Sequence, residues 1–199
     1  VIRNPAVVPG KASDLAASTA RLPVSVGAAP EEPIHLGFVG RLSPEKQPLQ
    51  LIDMLQQLPQ ACQLHVVGDG ELMGAMQSAG QALVAQGRLH LHGQQPVSAQ
   101  TYRAWRATLL CSLYEGYPMT ALESLACGVP CVSTPIPAMQ EMLGPHAPWL
   151  LAQDHSARSL ARAVQDCLLQ TPEVLQTALQ ATVADHRFEA FAQAWDRLL

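Results

Sequence analysis

Residues 34–46 read Ile34-His35-Leu36-Gly37-Phe38-Val39-Gly40-Arg41-Leu42-Ser43-Pro44-Glu45-Lys46. A short run rich in apolar residues stops at a glycine, and a polar turn follows. Leu51, Ile52, Leu55 and Leu58 then repeat at helical spacing until Pro59, so the stretch is a strand, a turn and a helix in sequence. The same unit recurs downstream. Strands are predicted at Ile34 to Val39, Gln63 to Val67, Leu89 to His92, Thr108 to Cys111, Pro130 to Ser133 and Trp149 to Leu151. Strands alternating with helices point to an α/β domain with a Rossmann-like parallel sheet and helices on both faces.

Helices are expected from Glu71 to about Ala85 and from Pro118 to near Gly128, where proline suits a first turn and glycine a C-terminal stop. Leu160, Ala163, Val164, Cys167 and Leu168 mark an amphipathic helix, and Thr171-Pro172-Glu173 reads as the cap and first turn of another. A last helix carrying Trp195 is expected over Phe188 to Leu199. Pro5, Pro9, Pro23 and Pro30 break any long period at the start. Residues 1–33 therefore read as linker and lead-in, and 34–199 as one Rossmann-like domain.

Composition supports one compact domain: 199 residues, 48% hydrophobic and 14% charged. Twelve basic against sixteen acidic residues give a net charge of -4, which offers no broad attraction to nucleic acid or anionic membrane. No apolar run approaches the roughly 20 residues of a membrane span. Cys62, Cys111, Cys127, Cys131 and Cys167 are odd in number and sit among apolar neighbours. They read as small core residues in a reducing, cytoplasmic setting rather than as a disulfide framework or metal set. His90 and His92 share a strand face, but two ligands without a third make no metal site.

In an open parallel sheet, ligands bind outside the carboxyl ends of the strands. Three segments fall there. Gly40-Arg41 to Glu45-Lys46 offers a guanidinium fork and an ammonium to oxyanions, or is simply a solvated loop. Gly68-Asp69-Gly70 lacks the third glycine of the dinucleotide fingerprint, because Met73 stands in its place. That turn brings backbone close to a ligand or is purely structural. Glu115-Gly116-Tyr117-Pro118-Met119-Thr120-Ala121-Leu122-Glu123 sets two carboxylates seven residues apart around a helix N-terminus. The terminus suits a diphosphate and the carboxylates suit sugar hydroxyls, although Glu123 could equally just complement the helix dipole.

Together these segments resemble the C-terminal domain of the retaining glycosyltransferases of family 4, which have the two-Rossmann-domain GT-B architecture. The resemblance runs over Phe38-Val39-Gly40-Arg41 to Glu45-Lys46, then Val66 to Gly70, then Ser112 to Pro118 and Glu123-Ser124-Leu125-Ala126-Cys127-Gly128-Val129-Pro130. It implies a nucleoside diphosphate sugar as donor, no cofactor or metal, and a place in polysaccharide or glycoconjugate biosynthesis. It also implies roles: Arg41, Lys46 and Glu115 in catalysis, and Gly40, Arg41, Lys46, Gly116, Tyr117, Pro118, Met119, Thr120 and Glu123 in donor binding, with Arg41 and Lys46 on the diphosphate, Glu123 on the ribose and Glu115 on the transferred sugar. The acceptor would be held by an N-terminal domain preceding Val1, through which peripheral membrane contact is conceivable. Gln47 stands where the family commonly has glycine, and Pro137-Ala138 where a glycine pair is usual. A nucleotide-sugar epimerase of the same architecture and a non-catalytic nucleotide-binding module are the alternatives.

Overall fold

The computed structural model describes residues 32–186. The expected last helix over 188–199 and nearly all of the N-terminal lead-in lie outside them. Five parallel strands form one sheet: β1 (Ile34–Val39), β2 (Cys62–Val67), β3 (Leu89–Leu91), β4 (Ala107–Leu110) and β5 (Cys131–Ser133). Their order across the sheet is β3-β2-β1-β4-β5, the doubly wound arrangement. Register follows the alternation of side chains, with Leu36 against Leu64 and Leu64 against Leu89. These leucines are at most 1% exposed and anchor one side of the core. A slip of one residue would carry them all to the other face.

On that side α1 (Gln50–Gln56) packs Leu51, Ile52, Met54 and Leu55 into the core. The opposite face carries a smaller cluster of Val67, Tyr102, Trp105, Cys127 and Val129. A Cβ on Gly37 would stand 2.0 Å from the Trp105 ring, so a glycine in mid-strand is what lets the indole lie against β1.

Two expected elements come out differently. The single helix over Glu71 to Ala85 is two, α2 (Met73–Ala79) and α3 (Gln81–Ala85), parted at Gly80. A Cβ there would meet Leu89 Cδ2 at 2.4 Å, so the break sits where the helices press on β3. The strand expected over Trp149 to Leu151 is a 3₁₀ turn, Pro148–Leu150, and only Leu151 bridges to Ser133. Pro148 presets a helical φ and cannot donate to a ladder.

The remaining helices begin as their caps dictate. Ser98 and Thr101 form a capping box at α4 (Ala99–Arg103). The helix α5 (Met119–Ala126) follows β4, and α6 (Pro137–Leu143) follows β5. Ser156 caps α7 (Ala157–Leu169) by accepting from Ser159 N at 3.1 Å. Thr171 caps α8 (Pro172–Asp185), with Pro172 in the first turn. All five cysteines are buried and none is joined to another by a disulfide, as small core residues should be.

Candidate functional site

In this strand order, the connections from β1 and β4 depart to opposite sides, opening a crevice between their carboxyl ends. Both segments singled out for charge lie there: the loop after β1 carries Gly40, Arg41 and Lys46, and the loop after β4 carries Glu115.

The loop after β1 rests on the glycine turn after β2. Gly40 N donates to Val67 O at 3.0 Å, Leu42 N to Asp69 O at 2.9 Å, and Leu72 N to Leu42 O at 2.9 Å. Gly68 has φ +145, and a Cβ on it would stand 1.9 Å from the Gly40 carbonyl oxygen. Of the two readings of Gly68-Asp69-Gly70, these contacts give it a structural task, backing Gly40 to Leu42 at backbone contact distance. Arg41 is exposed. The Glu45 carboxyl is held below its usual range chiefly by the Ser43 hydroxyl, which donates to it at 2.6 Å, with smaller help from the charges of Arg41 and Lys46. Both cations therefore act on one spot beside β1.

A 3₁₀ turn, Pro44–Lys46, ends at Gln47 with φ 48 and ψ 45, the only non-glycine residue of the described set with positive φ. This left-handed corner is where glycine sits without strain, which gives the Gln47 departure a physical meaning. Beyond it the turn is pinned to the loop after β4. Leu113 N donates to Glu45 O at 2.8 Å, and the buried Cys111 thiol lies 3.0 Å from Lys46 O. Burial pushes the Cys111 thiol up to about 12, so it stays protonated and available as a donor.

Lys46 Nζ donates to Glu115 Oε1, with the two side chains 26% and 14% exposed. Ser112 Oγ donates to the same oxygen at 2.8 Å, and Thr134 Oγ1 holds the Ser112 carbonyl at 2.8 Å. The loops after β1, β4 and β5 are thus tied together around one carboxylate. Pro118 precedes α5 as its N-cap rather than occupying its first turn, because its ψ of 80 is not helical. Its carbonyl accepts from Ala121 N at 3.1 Å and Leu122 N at 3.2 Å.

Gly116 is exposed, with no heavy atom within 4 Å of where a Cβ would stand. Around it Leu113, Tyr114 and Met119 expose large apolar side chains, Tyr114 at 66%. Tyr117 and Thr120 are half-buried. Glu123, one turn into α5, is also half-buried and accepts from the Tyr102 hydroxyl at 2.7 Å. Val39, Tyr102, Thr108, Leu109, Thr120 and Cys131 line a narrow crevice there. Pro137 and Ala138 open α6 just beyond β5.

Sequence reasoning missed Ser43, Cys111, Ser112, Tyr102 and Thr134. Only Ser112 had a local signal, as a residue three before Glu115 in the strand-end loop. His90 and His92 are not isolated, because they stack with His65 beside His35 across β1 to β3. Among the described residues, no group of three His, Cys, Asp or Glu is placed to hold a metal ion. A separate open groove is lined by Trp149 and Val174 among others and by none of the nominated residues. Among the described residues, no helix is long and apolar enough to cross a membrane.

The family model described as glycosyl transferases group 1 matches residues 25–182. A lipopolysaccharide 1,6-galactosyltransferase of Escherichia coli (strain K12) is 38% identical over 117 residues, 55% of this chain and 33% of that protein. A putative teichuronic acid biosynthesis glycosyltransferase of Bacillus subtilis (strain 168) is 28% identical over 127 residues, 64% of this chain and 31% of that one. The matches thus span about a third of the length of these curated relatives. Anabaena HepE in complex with UDP superposes with a TM-score of 0.71 at 21% identity, covering 84% of this chain and 48% of that one. The catalytic domain of Helicobacter pylori cholesterol-alpha-glucosyltransferase gives 0.64 at 18% identity, covering 77% and 98%. At those identities the structures attest the fold.

Proposed function

The chain belongs to the glycosyl transferases group 1 family, and from that premise we propose that it binds the sugar-nucleotide donor for a retaining glycosyl transfer. The single observation that carries the reading is the junction of Lys46 with Glu115 at the β1/β4 crevice, beside the N-terminus of α5. Cations and unpaired helix N–H groups suit a diphosphate, and carboxylates suit hydroxyls. Relatives named for transfer of galactose, and a structural neighbour holding UDP, support a nucleoside diphosphate sugar as the donor.

In this reading Arg41 and Lys46 hold the diphosphate, and the start of α5 adds its partial positive charge. Glu115 and the backbone of Gly116 and Tyr117 face the transferred sugar, Glu123 faces the ribose, and Gly40, Pro118, Met119 and Thr120 complete the lining. As the bond from the anomeric carbon to the diphosphate oxygen breaks, negative charge grows on the leaving group. Fixed cations placed there lower the barrier without a metal. The acceptor hydroxyl attacks from the face the diphosphate leaves and passes its proton to the departing diphosphate oxygen, so configuration is retained. A second Rossmann-like domain, the other half of a GT-B enzyme, would present that acceptor, consistent with the share of its relatives that the chain spans. Five buried cysteines without a disulfide between them support a reducing, cytoplasmic setting, and relatives named for lipopolysaccharide galactosyl transfer and teichuronic acid biosynthesis support a role in polysaccharide or glycoconjugate synthesis.

A thermal-shift screen of nucleoside diphosphates and sugar nucleotides tests this, because a ligand that binds only the folded state raises Tm. The expected result is stabilisation by one diphosphate series and by its sugar conjugates. No shift with any of them at millimolar concentration would refute the reading. Binding without transfer by the full-length protein would favour a non-catalytic module, and an altered free sugar nucleotide would favour an epimerase.

A further inference from the structure

Tyr102 sits on α4, 2% exposed, with its ring edge-on to Trp105 at 5.9 Å between centroids. Its hydroxyl nevertheless leaves that apolar cluster and donates to Glu123 Oε2 at 2.7 Å. Burial first, and then the Glu123 carboxylate, push the phenol far above its ordinary range. The phenol is therefore a permanent donor and never competes as an anion. Among the described residues, no other hydrogen bond to the Glu123 carboxylate is formed. A glutamate on a helix surface has three free torsions, and one rigid buried donor on Oε2 fixes the carboxylate plane.

We propose that Tyr102 is a positioning residue for the nucleotide ribose: it holds Glu123 so that Oε1 is presented, ready oriented, to a ribose hydroxyl. The proposal rests on the donor-binding reading above. Its physical basis is that an acceptor already immobilised loses less freedom when the ligand binds. The two carboxylate oxygens are also made unequal, so one ribose hydroxyl should matter more than its neighbour. A merely structural Tyr102 would instead support the fold without any effect on which sugar the site prefers.

The test is calorimetry on the purified protein with uridine, guanosine and adenosine diphosphates, followed by the 2′-deoxy and 3′-deoxy forms of the tightest binder. Wild type, Tyr102→Phe and Glu123→Gln are compared. Wild type should prefer the ribonucleotide over at least one deoxy form, and Glu123→Gln should abolish that preference. Tyr102→Phe, which keeps the ring and removes only the hydroxyl, should reduce the preference about fivefold while leaving affinity for the deoxy form unchanged, the size expected for re-immobilising one side chain. Equal losses for ribo and deoxy forms, or no loss, in a folded Tyr102→Phe protein would overturn the proposal and leave the donor site standing. Should Tyr102→Phe fail to fold, Glu123→Asp withdraws the carboxylate from the phenol, and an undiminished ribose preference would be equally fatal. If wild type binds none of the three diphosphates, the donor-binding reading falls, and this proposal with it.

Discussion

Lys46 and Glu115 lie 69 residues apart in sequence and meet as an ion pair across the two loops that flank the β1/β4 crevice. The glutamate occupies the ammonium that, under the proposed function, a diphosphate would claim. The two substitutions should therefore act in opposite directions on free nucleoside diphosphate. Lys46→Ala should weaken binding about tenfold or more, since a hydrogen bond to a charged group contributes about 1.5 to 3 kcal/mol. Glu115→Gln removes a competing anion and should leave that affinity equal or higher, while weakening the additional affinity for the sugar conjugate. Parallel losses in both variants, by calorimetry, would show that the pair supports only the loop.

Gly68, which backs the loop after β1, and Gly116, in the loop after β4, distinguish a substitution that harms the fold from one that reaches only the site. Gly68→Ala drives a methyl into the Gly40 carbonyl at a positive φ, so Tm should fall by several degrees and nucleotide affinity with it. Gly116→Ala meets open space. It should leave Tm unchanged and reduce affinity for the sugar nucleotide more than for the diphosphate. A Gly116→Ala protein with unaltered binding of both would remove Gly116 from the sugar site.

Arg88, 4% exposed, donates to the carbonyls of Leu55, Leu58, Pro59 and Cys62 at 2.8 to 3.2 Å. It closes the end of α1, whose last carbonyls lack helical partners. Arg88→Ala should destabilise by about 3 kcal/mol or more, because several buried acceptors lose a charged donor together. Urea unfolding checks this, and a loss below about 1 kcal/mol would mean that water replaces the guanidinium.

Acid should act through His65. Burial first, then the neighbouring His90, His35 and His92, lower it from 6.5 to about 4. Gln63 also faces the row, 3.2 Å from His90 Nε2. Between those values the unfolded chain binds a proton that the folded one refuses, so the stability present above pH 6.5 is lost as pH falls toward 4. His65→Gln should flatten Tm against pH in that window. An unchanged slope would place the acid sensitivity elsewhere.

The strand-end position of Lys46 and Glu115 was legible in the sequence, because glycine after an apolar run locates a loop regardless of what packs around it. Helix caps at Thr171 and Pro172 were legible for the same local reason. What escaped was decided by neighbours distant in sequence. Tyr102 falls in a stretch to which the sequence assigned no element, and its hydroxyl finds Glu123 only once β4 has brought α4 beside α5. Gly68-Asp69-Gly70 looked as much like a ligand turn as a structural one until β2 lay against β1. Trp149 to Leu151 carried an apolar strand pattern that Pro148 outweighed.

The most direct measurement is a crystal structure with the nucleoside diphosphate that gives the largest thermal shift. The diphosphate should lie between Arg41, Lys46 and the first turn of α5, with Lys46 turned from Glu115 toward it and the ribose against Glu123. A nucleotide bound instead in the groove of Trp149 and Val174, or absent from the β1/β4 crevice at saturating concentration, would contradict the central claim.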